Sequence, residues 1–247
     1  MNISLNGLLT HYEKTGTGGK TLLILHGWGH SAAHWEDLIQ LLPGDFTTIA
    51  LDLPAFGQTQ PLPGSPGVVE YSDFIRSFIE KLKLKNIFLL GHSFGGQVAT
   101  DFSLRYPKLV KHLILVSPAN IRATRPTLKS QFVSTFKPII YVFPKSVKNY
   151  LLKKTASPNY YSSNEIQKKV LNKIIYQDYS DKLKNISIPT SVVWGSGDTE
   201  IPNKGKFLAE NIPVCDLYVL YGSNHTPHLS SPQKLSDALI SIIRKNA

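Results

Sequence analysis

Residues 86–96 read NIFLLGHSFGG, an apolar run that leads into a turn in which a serine stands between glycines. The run predicts a strand buried on both faces, and the residues that follow predict a helix over 95–106. A serine on so tight a strand-to-helix turn needs small neighbours, and Gly91 and Gly95 meet that need. The G-x-S-x-G pattern therefore predicts that Ser93 projects from the carboxyl edge of a sheet as a candidate nucleophile.

Similar apolar runs alternate with helix-length amphipathic stretches on both sides of this segment. The predicted strands are 21–27, 46–52, 86–92, 112–118, 190–196 and 215–221. The predicted helices lie near 33–42, 70–83, 95–106, 203–211 and 231–245. Asn6-Gly7, between two short apolar pieces, predicts a hairpin added to one sheet edge. Together they predict an α/β fold with a mostly parallel sheet of about eight strands and helices on both faces.

Composition excludes several classes of protein. The chain has 247 residues, of which 42% are hydrophobic and 18% charged, so disorder, collagen-like repeats and coiled coils are excluded as the main architecture. A single cysteine, Cys215, excludes a disulfide framework. The first residues do not read as a secretory signal, and no apolar run has the roughly 18 residues that span a bilayer. We expect a soluble protein of a reducing cytoplasm.

The net charge of +10 is concentrated in one segment. Residues 119–185 hold 13 Lys and Arg side chains and only 3 acids, whereas the rest of the chain is balanced. This segment also interrupts the alternation of strands and helices with a stretch rich in Lys, Tyr, Ser and Pro. A structureless loop of this length is uncommon in a compact domain, so a helical insertion is predicted.

Two further segments carry groups that would serve Ser93. His26-Gly27-Trp28-Gly29 follows the strand at 21–27, and its glycines keep the loop low. The backbone N–H groups of Trp28 and Phe94 are the expected donors to a developing oxyanion. Asp198 and His225 each follow a later predicted strand, so Ser93, Asp198 and His225 occur in the chain order nucleophile, acid, base. A serine hydroxyl needs an adjacent base, and the base needs a carboxylate to fix its tautomer.

These motifs resemble those of the α/β-hydrolase fold serine hydrolases. The segments HGWG at 26–29, DLPAFGQT at 52–59 and NHTPHLSSP at 224–232 are similar to segments of that family, with Ala55, Thr59, Asn224 and Ser230 at positions where the family has other residues. The resemblance implies a core domain of residues 1–118 and 186–247 and a cap (lid) domain of residues 119–185. It also implies substrate contacts from the turns and the cap, assigned here to His26, Gly27, His92, Phe132, Phe136, Tyr141 and Phe143.

Other residues are candidates for the same roles. His228 lies near the last strand and is the alternative base, although the family pattern favours His225. His92 is the variable position of the turn, and Asp52 and Asp101 are interpreted as structural acids. Cys215 is interpreted as a buried small residue, and His11 and His112 show no metal-ligand spacing.

The resemblance implies a carboxylesterase-like enzyme that cleaves small or medium-sized esters through an acyl-enzyme, without a cofactor or metal. The HGWG loop is similar to that of the carrier-protein methyl esterases of biotin synthesis, and an acidic carrier protein at the basic cap is an expected partner. Lactonases, carbon–carbon bond hydrolases and cofactor-free haloperoxidases share the same constellation, so these alternatives stay open. A non-catalytic binding protein of the same fold is the alternative from another class. No nucleic-acid motif accompanies the basic segment.

Overall fold

The computed structural model describes residues 1–120, 163–175, 177–201 and 204–247. Its strands are β1 (Asn2–Leu5), β2 (Leu8–Thr15), β3 (Lys20–Leu25), β4 (Phe46–Leu51), β5 (Ile87–His92), β6 (Val110–Val116), β7 (Thr190–Gly195) and β8 (Cys215–Leu220). Its α-helices are α1 (Glu36–Gln40), α2 (Val68–Lys81), α3 (Phe94–Arg105), α4 (Glu165–Ile174), α5 (Gly205–Asn211), α6 (Pro227–Ser230) and α7 (Pro232–Lys245). Short 3₁₀ turns lie at Ala32–Trp35, Pro107–Leu109 and Ser180–Asn185.

The eight described strands form one sheet in the order β1-β2-β4-β3-β5-β6-β7-β8. β1 and β2 are antiparallel to each other, and β2 is antiparallel to β4, whereas the pairings from β4 to β8 are parallel. The predicted α/β fold and the edge hairpin are therefore confirmed. Since the carboxyl ends of parallel strands meet at one edge, the turns after β3, β5, β7 and β8 converge there.

Apolar side chains fill both faces of the sheet. On one face, α2 and α3 pack through Phe78 and Phe102 onto residues such as Leu23 and Leu89. On the other, α1 and α7 contribute residues such as Leu38 and Ile242 to a second buried cluster. The strands from β3 to β7 are almost wholly buried, as continuous apolar runs predict for a parallel sheet covered on both faces.

The last strand differs from the expectation. β8 lies at the end of the described sheet, and Leu217 and Val219 are 37% and 40% exposed. Cys215 is only partly buried, so its interpretation as a buried small residue was wrong. An edge strand has a neighbour on one side only, and its apolar run cannot by itself reveal how much of it the helices cover.

The later part of the predicted cap, residues 163–185, packs onto the core. Val170, Ile174, Tyr179 and Leu183 belong to the same buried cluster as α2 and α3. Residues 121–162, with Phe132, Phe136, Tyr141 and Phe143, lie outside the described residues. The predicted domain boundaries stay a prediction.

Candidate active site

Ser93 occupies the sharp turn between β5 and α3. Its backbone has φ 49° and ψ −113°, a region that a residue with a side chain rarely adopts. The Ser93 N–H donates to the Val116 carbonyl at 3.1 Å, and the Ser93 carbonyl accepts from the Ala119 N–H at 2.9 Å. These bonds hold the turn against its own strain, which is a common feature of functional positions.

Gly91 and Gly95, which were predicted to permit this turn, must be glycines because other backbone atoms lie too close to leave room for a Cβ. A Cβ on Gly91 would lie 2.4 Å from the Gly95 carbonyl oxygen. A Cβ on Gly95 would lie 2.2 Å from the Leu25 carbonyl oxygen at the end of β3. Glycine at both positions therefore lets the start of α3 pack directly against β5, the strand before it, and against the neighbouring β3.

The structure brings Ser93, His225 and Asp198 into one chain of hydrogen bonds. His225 Nε2 lies 3.1 Å from Ser93 Oγ, and His225 Nδ1 lies 2.8 Å from Asp198 Oδ2. A carboxylate only accepts, so Nδ1–H donates to Asp198 and the Nε2 lone pair faces the serine hydroxyl. This is the tautomer that a general base for Ser93 requires.

Asp198 is held ionised beside the histidine. Its Oδ1 accepts from the Glu200 and Ile201 N–H groups at 3.0 and 2.9 Å. Burial acts to raise the pKa of Asp198, but the hydrogen bonds from His225 and the Ile201 N–H outweigh it, so the pKa lies below its usual value. A charged Asp198 can stabilise an imidazolium at His225.

Close packing between two turns sets the distance from acid to base. Gly197 N–H donates to the Ser223 carbonyl at 2.9 Å. A Cβ on Gly195 would lie 2.4 Å from the carbonyl oxygens of both Ser223 and Asn224. The turn after β7 therefore lies directly against the turn that carries His225.

The HGWG turn lies directly against the nucleophile. A Cβ on Gly27 would lie 3.3 Å from Ser93 Cβ and 2.7 Å from His92 Nδ1. Among the described residues, the Trp28 and Phe94 N–H groups have no hydrogen-bond acceptor in the protein. Free amides on both sides of Ser93 support the predicted oxyanion hole, which stays a prediction.

Two predicted substrate contacts have a different environment from the one expected. His26 is 1% exposed; its Nδ1–H donates to the Gly27 carbonyl at 2.7 Å, and its Nε2 accepts from the Leu53 N–H at 3.0 Å. His92 is also 1% exposed, and its Nε2–H donates to the His225 carbonyl at 2.9 Å. Both rings bind backbone groups of the protein, so they position the loops around Ser93 rather than face an open pocket.

Burial keeps these rings neutral. It lowers the pKa of His26 to about 4 and that of His92 to about 3. Each can therefore act as a neutral imidazole that donates from one nitrogen at neutral pH.

The alternative base is placed elsewhere. His228 is fully buried, and its ring stacks on Trp35 with 4.2 Å between ring centroids. Its Nε2 lies 3.3 Å from His30 Nδ1. Within the described part of the chain, the histidine that contacts Ser93 is His225.

The two other acids have structural contacts, as interpreted from the sequence. Asp52 accepts from the Ala32 and Gln58 N–H groups at 2.6 and 2.8 Å and ties its loop to the start of the first 3₁₀ turn. Asp101 accepts from Ser72 Oγ at 2.6 Å and from the Tyr179 hydroxyl at 3.0 Å. It thereby links α2 and α3 to the segment that follows α4.

Aromatic rings from the HGWG turn, the loop after β4 and the start of α3 pack together near Ser93. The ring of Trp28 packs edge-on against Phe56 and Phe94, at 4.9 and 5.4 Å between centroids. The indole Nε1–H of Trp28 donates to Ser163 Oγ at 3.1 Å. This contact joins the HGWG turn to the segment before α4.

Sequence reasoning missed two residues near the site. Glu200 Oε2 lies 4.0 Å from His225 Nε2, and its side chain is exposed. His30 stacks with His34 at 4.8 Å and lies beside His92 and His228. The repeated histidines in HGWGH and in NHTPH indicated that histidines are concentrated in these turns. The two segments are far apart in sequence, so the sequence alone did not show that their side chains are in contact.

An open α/β sheet, a serine on the turn after a central strand, and an acid and a histidine on later turns define the α/β hydrolase class. The family profile described as "alpha/beta hydrolase fold" matches residues 20–162. The chain belongs to this family, and it is a hydrolase of that family. The predicted resemblance is thereby confirmed at the level of family and fold.

Particular relatives span nearly the whole chain. The "Uncharacterized hydrolase YugF" of Bacillus subtilis is 25% identical and covers 98% of this chain and 96% of its own length. A 2-hydroxy-6-oxononadienedioate/2-hydroxy-6-oxononatrienedioate hydrolase of Burkholderia vietnamiensis is 23% identical, covering 96% and 92%. The structure of a thermophilic esterase from Thermogutta terrifontis has a TM-score of 0.73 and 22% identity, covering 100% and 98%. In the described residues, no helix has the length and apolar character needed to cross a membrane.

Proposed function

We propose that the protein is a serine hydrolase that cleaves carboxylic esters of small to medium acyl groups through an acyl-enzyme. The observation that carries this proposal is the hydrogen-bonded chain from Ser93 Oγ through His225 to Asp198. A serine hydroxyl is a weak nucleophile at neutral pH, and a histidine in this tautomer activates it.

The reaction follows from the directions of these hydrogen bonds. His225 Nε2 takes the hydroxyl proton as Ser93 Oγ attacks the ester carbonyl, and Asp198 stabilises the imidazolium that forms. The N–H groups of Trp28 and Phe94 stabilise the oxyanion. His225 then gives its proton to the leaving alcohol, and water activated by the same nitrogen releases the acid and restores Ser93.

The surroundings of the site favour an uncharged substrate group. Trp28, Phe56 and Phe94 form an apolar edge next to Ser93, which suits the acyl or alkyl part of an ester. The exposed carboxylate of Glu200 near His225 disfavours a second negative charge close to the reacting carbonyl.

A panel of p-nitrophenyl esters from acetyl to palmitoyl tests the proposal. We expect turnover of short and medium acyl chains, a steep decline for long ones, and loss of turnover in Ser93→Ala. Ser77→Ala is the matched control and should retain full activity, because Ser77 is a partly buried serine whose hydroxyl donates to the Asp73 carbonyl within α2 and accepts from Asn6. Turnover that survives in Ser93→Ala, or no turnover of any ester, would contradict the proposal.

A carbon–carbon bond hydrolase is the second candidate. It is favoured by the Burkholderia relative, whose name gives 2-hydroxy-6-oxononadienedioate and 2-hydroxy-6-oxononatrienedioate as its substrates and which matches this chain over nearly its full length. With 2-hydroxy-6-oxononadienedioate added as a separate substrate, loss of its absorbance would favour this function, provided that ester turnover is much slower.

The basic segment gives a proposal about a partner. Residues 119–185 carry a net charge of +10, which would attract an acidic carrier protein bearing a tethered acyl group. Because the Debye length falls from about 10 Å at 0.1 M salt to about 3 Å at 1 M, kcat/KM for a carrier-bound ester should fall with salt far more than for a neutral ester. Parallel salt dependences would contradict this partner.

A further inference from the structure

Three histidines meet beside the candidate active site without taking part in its reaction. His30 follows the HGWG turn, His92 ends β5, and His228 lies in the short helix α6. Each can offer one ring nitrogen, and the three nitrogens lie within 4.8 Å of one another. His30 and His228 are 198 positions apart in the chain, yet His30 Nδ1 lies 3.3 Å from His228 Nε2.

The hydrogen bonding of this cluster is incomplete. His92 donates from Nε2, so its Nδ1 carries a lone pair, and this buried atom has no partner among the described residues. His228 is fully buried, and its Nδ1 is also without a partner in the described part of the chain. Unsatisfied buried polar atoms are rare and costly, so the lone pair on His92 Nδ1 points to a missing ligand. In His228 the nitrogen that faces His30 is Nε2, so its unpartnered Nδ1 does not indicate a ligand between the two rings.

The distances and chemistry suit a transition-metal ion. Two imidazoles on one tetrahedral Zn²⁺, each about 2.0–2.1 Å from the metal, have their nitrogens about 3.3–3.4 Å apart. The His30–His228 pair already has this separation. Metal ligation also requires a ring nitrogen with a free lone pair, and His92 Nδ1 has one that no described residue engages.

We propose that His30, His92 and His228 form a binding site for Zn²⁺, with water as the fourth ligand. His30 is partly exposed, so the ion can reach the two buried rings from the side of His30. Imidazole nitrogen binds Zn²⁺ and neighbouring first-row transition metals more tightly than it binds Mg²⁺ or Ca²⁺, because those two ions prefer oxygen ligands. This site goes beyond the proposed esterase function, and its existence does not depend on that function.

Isothermal titration calorimetry of the tag-free protein with zinc chloride tests the site. We expect one Zn²⁺ bound per chain, no detectable binding of Mg²⁺, and weaker zinc binding as the pH falls and protons compete. His30→Ala removes a ligand with little effect on the core, because His30 is only partly buried. We expect this change to weaken binding by at least about tenfold, since loss of a mere second-layer partner costs about 10–100-fold.

His11→Ala is the matched control. His11 lies on β2, near one end of the sheet, and its Nδ1 is hydrogen-bonded to Asn2 on the edge strand β1. It should bind zinc as the natural chain does. Absence of binding in the natural chain, or unchanged affinity in folded His30→Ala, would overturn the proposal. Loss of binding in His225→Ala with retention in His30→Ala would assign the ion to the Ser93 site and overturn it as well.

Discussion

Because the backbone at Ser93 is strained, we predict that glycine at this position is more stabilising than alanine. This is opposite to the usual effect of glycine, which lowers the free energy of unfolding. Ser93 has φ 49° and ψ −113°, and a residue with a Cβ in such a region costs on the order of 1–3 kcal/mol. Ser93→Ala removes the hydroxyl but keeps the Cβ and its strain. Ser93→Gly removes both, so the difference between the two variants isolates the backbone term.

The size of this difference follows from two opposing contributions. Relief of strain contributes about 1–3 kcal/mol to Ser93→Gly, and the greater freedom of glycine in the unfolded chain costs it about 0.5–1 kcal/mol. We therefore expect Ser93→Gly to be more stable than Ser93→Ala by about 0–2.5 kcal/mol, with the middle of the two ranges giving about 1 kcal/mol. Both variants lose the hydrogen bond to His225, so that loss cancels.

Urea unfolding followed by tryptophan fluorescence measures the difference. With a slope of about 1–3 kcal/mol/M, a difference of ~1 kcal/mol moves the midpoint by about 0.3–1 M. Ser65 is exposed and is not at positive φ, so it serves as the control. There glycine should be no more stable than alanine. If Ser93→Gly is less stable than Ser93→Ala, the argument from strain is refuted.

Three further predictions concern the acid, the turn and the buried histidines. Asp198→Asn should lower kcat for p-nitrophenyl acetate by ~10⁴ with unchanged folding by circular dichroism, because an amide favours the wrong tautomer of the base; a loss below tenfold would contradict this. Gly95→Ala, whose Cβ would lie 2.2 Å from a carbonyl oxygen of β3, should cost about 3 kcal/mol or more in urea unfolding, whereas Gly44→Ala, with open space around it, should be near neutral. The free energy of unfolding should fall as the pH drops from 6.5 towards 4. In the unfolded chain His26 and His92 bind protons over this range, whereas in the folded protein they stay neutral because their pKa values are lowered to about 4 and about 3. The slope is at most ~1.4 kcal/mol per pH unit for each histidine, and flat stability over this range would contradict the assignment of neutral rings.

The sequence was sufficient for the architecture because the relevant signals are local. Buried parallel strands read as continuous apolar runs, and the Gly91–Gly95 turn shows its close contacts through residue type. The order of Ser93, Asp198 and His225 could be interpreted because each follows a strand, and strand ends meet at one edge. The exposure of β8 could not be predicted in this way, since it depends on which helices cover an edge strand.

The contacts of the histidines were also beyond the sequence. His26 and His92 were assigned to substrate, but their rings bind the backbone of Gly27, Leu53 and His225. A local pattern gives the position of a histidine on a loop, but not the direction of its ring or the backbone groups that it meets. The approach of His30 to His228 likewise arises only when the turns after distant strands converge.

Covalent labelling tests the central claim, that Ser93 is a nucleophile activated by His225, most directly. The protein is treated with an alkyl fluorophosphonate, and intact mass spectrometry and peptide mapping locate the adduct. We predict one adduct per chain, on the peptide that contains Ser93, with no adduct in Ser93→Ala and much slower labelling in His225→Ala. No adduct on the natural chain, an adduct on another residue, or equally fast labelling without His225 would contradict the account.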